Sequence, residues 1–320
     1  MSARKGIAVV GTLLVDNIYE ISAYPAEGEL TKIRAIDLSC GGLVPNNGIG
    51  LKKIAPDLPI FAVGKVGNDD KGKYATDLMA RAGLDVSMVK VDDAARTSFT
   101  DVMSVRGGQR TFFTYPGASA EFGYDDIDWD SLTCEMLHLG YFLLLDKVDA
   151  GDGLAILKEA KARGIKTSID LVSENSDRYA LVLPCLPYVD NLIINELEAG
   201  KLAGMEPTEE NLPAIAKRLL DMGVGERVII HQPALGLCAT REGVTVLPSC
   251  KLPKGYVKGK TGAGDAFCSG ALVAIARGAA PAEVLELAEA AAVASLTFPD
   301  ATTGIMEEKR LLENIRKFDR

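Results

Sequence analysis

The sequence predicts an α/β fold: a doubly wound, mostly parallel sheet that carries a small β lid. Three observations support this. From about residue 130 onward, short apolar runs alternate with amphipathic stretches of helical spacing. Repeated strand–helix units of that kind build a sheet covered on both faces. Two β-patterned stretches stand before this repeat. Composition agrees, because 48% of the residues are hydrophobic while aromatics are few and glycines abundant, which fits a soluble α/β protein and not a disordered or fibrous one.

The elements follow in chain order. Gly6-Ile-Ala-Val-Val10 is a short apolar run without a cleavage-site pattern, and it reads as a buried strand, not a signal peptide. Glu29–Ser39 alternates loosely and ends at Cys-Gly-Gly. Ser98–Tyr115 reads as strand, Gly-Gly turn at Arg106–Gln109, strand, which is a hairpin signal. Together, about 29–42 and 98–115 are expected to form one small sheet projecting as a lid; edge strands of the main sheet are the alternative. Buried strands are expected at Met136–Leu139, Thr167–Leu171, Asn191–Ile194 and Arg227–Ile230. Helices are expected at Gly153–Arg163, Glu209–Met222, Ala266–Arg277 and Glu283–Leu296. No repeat or linker divides the chain, so residues 1–320 are expected to form a single domain.

Charge and composition narrow the function. A formal net charge of -9 argues against a nucleic acid or an anionic membrane surface as the main partner. No apolar run reaches the roughly 20 residues that span a bilayer. The six cysteines are scattered without a Cys-x-x-Cys, consistent with reduced thiols and a cytoplasmic protein. With only His138 and His231 present, a histidine-rich metal site is not expected.

Thr261-Gly262-Ala263-Gly264-Asp265 carries the chemistry. A glycine-rich turn opening a helix presents unpaired N–H groups and the positive end of the helix dipole to an anion. Glycine lets a phosphate approach those amides without obstruction. A carboxylate beside such a cradle can take the proton of an attacking hydroxyl, as phosphoryl transfer to an alcohol requires. The plain alternative is a helix cap at Asp265. No Gly-Lys-Ser/Thr follows, so the turn is not a Walker loop.

Other islands are weaker alone. Asp16 ends the run Gly11-Thr-Leu-Leu-Val, where a carboxylate can cap a turn or grip a pair of hydroxyls. Gly41-Gly42-Leu-Val-Pro-Asn46 leads into a helix that Asn46 can cap. Gly64-Lys-Val-Gly67-Asn-Asp69 reads as a structural strand-to-helix turn. Asn195-Glu-Leu-Glu198 reads as an acidic helix start.

Taken in order with Pro116-Gly117-Ala118-Ser119 after the hairpin, these islands resemble the ribokinase-like (PfkB) family of carbohydrate and nucleoside kinases along essentially the whole chain. The resemblance implies a Rossmann-like, ribokinase-type fold and an ATP-dependent kinase acting on a primary hydroxyl of a small sugar. It implies Asp265 as the base, with Gly262, Ala263 and Gly264 as the anion hole for the γ-phosphoryl group. Asp16, Gly42 and Asn46 match sugar-binding positions, and Asn195, Glu198, Gly236 and Gly264 match nucleotide-binding ones. Glu198 would position Mg2+ through water. The lid would close over the sugar and form a homodimer interface.

The chain also departs from the family pattern. Lys258-Gly259-Lys260 stands where an acid often lends its side chain to a monovalent cation, so little activation by potassium is expected. His231-Gln232-Pro233 replaces a Thr-x-Gly nucleotide contact while Gly236 is kept, and His231 reads as either a nucleotide contact or an exposed turn residue. Leu43 replaces a lysine near the sugar. Arg106 or Arg110 could meet a phosphate on an already phosphorylated sugar. Two rivals stay open: a nucleoside kinase of the same fold and a catalytically silent sugar-binding regulator. For the first, the run His138-Leu-Gly-Tyr-Phe-Leu-Leu-Leu145 resembles its Gly-Phe-Phe substrate strand, and Phe112, Phe113 and Tyr115 could stack a base, although apolar strand packing explains the same residues.

Overall fold

The apolar runs become strands buried on both faces, as a parallel sheet between helix layers requires. The structure, a computed structural model, describes residues 4–105, 110–173 and 177–320. Nine strands form the main sheet: β1 (Ile7–Val10), β4 (Ile60–Gly67), β5 (Asp85–Asp92), β8 (Met136–Phe142), β9 (Lys166–Leu171), β10 (Asn191–Asn195), β11 (Arg227–His231), β12 (Leu235–Ala239) and β13 (Val244–Pro248). Their order is β13-β12-β11-β10-β9-β8-β1-β4-β5. From β11 to β5 the pairings are parallel, and β12 and β13 close one edge antiparallel.

Side-chain alternation divides the interior into two cores. Ala8, Val10, Leu137, Leu139, Ile194 and Val228 point to one face. Ile7, Val9, Met136, Ile193 and Ile229 point to the other, where they meet Leu51, Leu272 and Leu285. Those three come from α1 (Leu43–Ile54), α7 (Ala263–Ala276) and α8 (Pro281–Ser295). The remaining α-helices among the described residues are α2 (Asp70–Arg81), the single turn α3 (Gly117–Ala120), α4 (Gly153–Ala162), α5 (Glu196–Ala203), α6 (Leu212–Asp221) and α9 (Glu308–Ile315).

A second sheet of four strands stands beside the first. It contains β2 (Leu14–Ile21), β3 (Ile33–Gly41), β6 (Ser98–Val105) and β7 (Arg110–Tyr115), in the order β3-β2-β6-β7. The sequence pattern anticipates β3 and the β6–β7 hairpin but not β2, which pairs parallel with β6 along its whole length. Asp16 therefore lies inside a strand of the small sheet instead of at the end of a core strand. The Arg106–Gln109 turn lies outside the described residues, as does any placement of Arg106.

Two helix bounds differ from those the periodicity suggests. α6 starts at Leu212 because Thr208–Asn211 forms a turn, closed by the Asn211 N–H on the Thr208 carbonyl, and Pro213 sits in its first turn. More consequentially, α7 starts at Ala263, so Ala263, Gly264 and Asp265 form its first turn. Its start lies beside the carboxyl ends of β8 and β11, where ligands bind in open α/β sheets.

Candidate active site

Gly262 opens α7 with φ 75°, in the left-handed region that favours glycine. A Cβ there would also lie 2.1 Å from the Ala301 Cβ, so both backbone and packing demand glycine. The Ala263 N–H turns back to the Lys260 carbonyl at 3.3 Å. The N–H groups of Gly262, Gly264 and Asp265 find no partner among the described residues. At the positive end of a fourteen-residue helix these free donors can hold an anion. A Cβ on Gly264 would meet only the His231 ring, at 3.6 Å, so the protein itself leaves that space open.

Asp265 is 7% exposed. Asn46 Nδ2 donates to its Oδ2 at 2.8 Å, and the Tyr141 hydroxyl donates to both carboxylate oxygens at 3.0 Å. Burial pushes the carboxyl up to about 6, and the negative Asp170 adds to the rise. The donated hydrogen bonds pull the other way, since they stabilise the charged form. A carboxylate so placed is ionised near neutral pH yet holds a proton more readily than an exposed one. That combination suits a base.

Asn46 is the fourth residue of α1, so it does not cap that helix; Gly42 occupies the cap position. Thr12 serves the helix start instead. Its Oγ1 accepts the Leu43 N–H at 2.9 Å and its carbonyl accepts the Val44 N–H at 3.1 Å. A Cβ at Gly41 would lie 2.4 Å from Asp16 Oδ2, which seats Asp16 directly against the Gly-Gly turn. The Asp16 carboxylate makes no hydrogen bond or ion pair to the described residues, and burial alone pushes it up to about 6. A half-buried carboxylate without a partner can accept hydroxyl protons from a polar ligand.

Beyond the first turn of α7 lies a cavity of about 300 Å³ lined by His231, Gln232, Gly236, Ala263, Gly264 and Phe267, among others. His231 is not an exposed turn residue. It ends β11, with its ring centroid 4.8 Å from that of Phe267, and burial lowers its pKa to about 4, so it is neutral. Lys260 lines the same cavity. A Cβ on Gly259 would lie 2.6 Å from Pro299 Cα and 2.8 Å from the Phe298 carbonyl oxygen, so an acid cannot stand there without moving backbone.

Asn195 and Glu198 form a reciprocal cap at the start of α5. The Asn195 side chain accepts the Glu198 N–H at 3.0 Å, and Glu198 accepts the Asn195 N–H at 3.1 Å. Ser173 Oγ also donates to Glu198, at 2.8 Å. Burial still pushes the Glu198 carboxyl up to about 7, and no cationic side chain pairs with it among the described residues. A divalent cation nearby would offset that buried charge. Because the carboxylate oxygens already accept three protein donors, bridging water suits them better than direct ligation.

Asp69 behaves as the sequence suggests, capping α2 and accepting from Thr97. Sequence reasoning missed two contributors, Thr12 and Tyr141. Thr12 stands two residues past β1, but the helix it serves starts 31 positions later, so no local capping pattern marks it. Tyr141 belongs to the run His138–Leu145, but nothing in that run signals its contact with Asp265.

With this geometry in view, comparison with known proteins defines the class. A match to the pfkB family of carbohydrate kinases spans residues 4–309. The chain belongs to that family and is a sugar kinase. It is 25% identical over 314 residues to a ribokinase from Arabidopsis thaliana, covering 97% of this chain and 81% of that protein. It is also 25% identical over 275 residues to a fructokinase from Klebsiella pneumoniae, covering 83% and 87%. The fold matches the structure of Arabidopsis thaliana ribokinase complexed with ribose and ATP, with a TM-score of 0.85, 23% identity, and coverage of 98% of this chain and 99% of that one.

Proposed function

We propose that the protein transfers the γ-phosphate of ATP to a primary hydroxyl of a small sugar, with Asp265 as the base. The arrangement around α7 carries this reading: one helix turn faces a cavity through Ala263 and Gly264 and holds a buried carboxylate in Asp265. In this reading the nucleotide lies in the cavity, with Gly236 against it and the Asn195–Glu198 pair near its phosphates. The free N–H groups of the first turn, Gly264 among them, receive the γ-phosphoryl group. Those donors stabilise the charge that develops during transfer, while Asp265 takes the proton of the attacking hydroxyl.

The sugar lies between the two sheets. Asp16 accepts its hydroxyl protons, the Gly41–Gly42 turn gives close backbone approach, and Asn46 serves both sugar and base. The small sheet, β3 and β2 with the β6–β7 hairpin, acts as a lid that excludes water. Its exposed Ile36, Leu38 and Phe113 share the face opposite Asp16 and fit a homodimer interface, because apolar groups of this size on one face favour burial against a second copy. Mg2+ fits beside Glu198, held through water, and supplies charge neutralisation on the phosphates when bound. Gly259 offers no carboxylate to a monovalent cation.

ATP consumption measured across ribose, fructose, deoxy sugars and adenosine tests the reading. Turnover with one small sugar supports it. Turnover with adenosine alone makes the protein a nucleoside kinase, and binding without turnover makes it a silent regulator.

A further inference from the structure

The end of β8 breaks the rule of its own strand. Alternation sends Met136 and His138 toward the α7 face and Leu137 and Leu139 toward the other core. Continued, it would send Tyr141 away from α7 and Phe142 toward it. The opposite is observed: Phe142 sits in the far core, while Tyr141 packs on the α7 side and reaches Asp265. The exchange occurs at a register break between Leu139 and Phe142.

The backbone records the cost. Tyr141 has φ 58° and Leu143 φ 76°, the two non-glycine residues in the left-handed region among the described residues. Aromatic and branched side chains resist this conformation, and it persists where surrounding contacts enforce it. Here the Tyr141 N–H donates to Asp170 Oδ1 at 2.6 Å. A side chain cannot fill that space from the other side either, since a Cβ on Gly140 would lie 2.1 Å from Leu43 Cδ1 and 2.5 Å from Asp170 Oδ1. Asp170 in turn lies 3.6 Å from the buried His138 ring. A strained turn is thus anchored from below, and its product is a phenol spanning both oxygens of Asp265.

We infer that Tyr141 is a positioning residue for phosphoryl transfer: its hydroxyl holds the Asp265 carboxylate aligned and covered until the acceptor hydroxyl takes its place. The inference rests on reading Asp265 as the base. The phenol is well suited to the task, because burial and the neighbouring acids keep it protonated, so it donates to the carboxylate and never competes as a base. A water molecule reaching Asp265 beside bound ATP would be activated for hydrolysis, and the phenol occupies the carboxylate edge that such a water needs.

Tyr141→Phe keeps the ring and removes the hydroxyl. Two measurements, neither of which needs a sugar, test the inference. The first is the pH titration of the Asp265 carboxyl carbon by NMR in protein labelled at aspartate Cγ, the signal assigned by its loss in Asp265→Asn. Removing a donor from the charged form should raise the midpoint by about one to two units. The second is ATP consumption without sugar, which should rise severalfold. An unmoved titration in folded Tyr141→Phe overturns the inference, as does a shifted titration with unchanged ATP consumption. Because neither readout depends on the acceptor, failure of the sugar panel leaves this test intact.

Discussion

Asn46 and Asp265, 219 positions apart in the chain, meet through a 2.8 Å hydrogen bond from Nδ2 to Oδ2. The bond ties the first turn of α1 to the first turn of α7, so the two helix starts share one carboxylate.

Asp265→Asn should lower kcat by about 10² or more while leaving nucleotide and sugar binding largely intact. Stability should move the other way. The folded carboxyl sits near 6, above its unfolded value of 3.8, so its favourable contribution is complete below pH 4 and is lost as pH rises through 6. At pH 7 the buried charge therefore weakens the fold. The asparagine variant should melt higher than wild type at pH 7 and close to it at pH 4. Near-normal kcat in the folded variant would reduce Asp265 to a structural residue.

The pH profile follows from the same group. Activity needs the ionised base, so kcat should fall below about pH 6. The Asp16 carboxyl also sits near 6, so kcat/KM for sugar should fall more steeply in that region than kcat does. A flat profile between pH 5 and 7 would contradict both assignments.

Asp16→Ala should raise sugar KM far more than ATP KM. Hydrogen bonds to a charged partner contribute roughly 1.5–3 kcal/mol, about tenfold to over a hundredfold in affinity. Equal effects on both substrates would point to a structural role in β2.

Gly262 and Gly264 should respond differently to alanine. Gly262→Ala meets both a left-handed backbone and Ala301, so loss of stability should dominate. Gly264→Ala meets only the His231 ring at ordinary contact distance, so melting should change little while ATP KM rises. Wild-type ATP KM in Gly264→Ala would remove the nucleotide from that face of the helix.

Potassium should activate little. Gly259 is pressed against Pro299, and Lys260 brings positive charge to the cavity wall. Initial rates in potassium, sodium and tetramethylammonium buffers at matched ionic strength decide this. A severalfold rise specific to potassium would show that backbone carbonyls alone hold the ion.

Much of this architecture was legible in the residues. The core strands announce themselves because burial on both faces leaves unbroken apolar runs, and Gly262 to Asp265 stand out because few structures need that turn. β2 was hidden because Leu14–Ile21 mixes Asp, Asn, Tyr and Glu, which only pairing with β6 makes into a strand. The start of α7 was misjudged because two glycines mask a helical first turn. The reach of Tyr141 to Asp265 could not be read from its run, His138–Leu145. Period-two reasoning assigns it to the wrong face, and only the backbone reversal after Leu139 corrects it.

The shared first turn of α7 has an energetic consequence. In the proposed arrangement one substrate leans on Gly264 and the other on Asp265, adjacent residues of a single turn. Whatever orders that turn for one ligand lowers the ordering cost for the second, and linkage requires the effect to be reciprocal. Gly264→Ala and Asn46→Ala should accordingly fail to add in a double-mutant cycle, although the two residues belong to different helices.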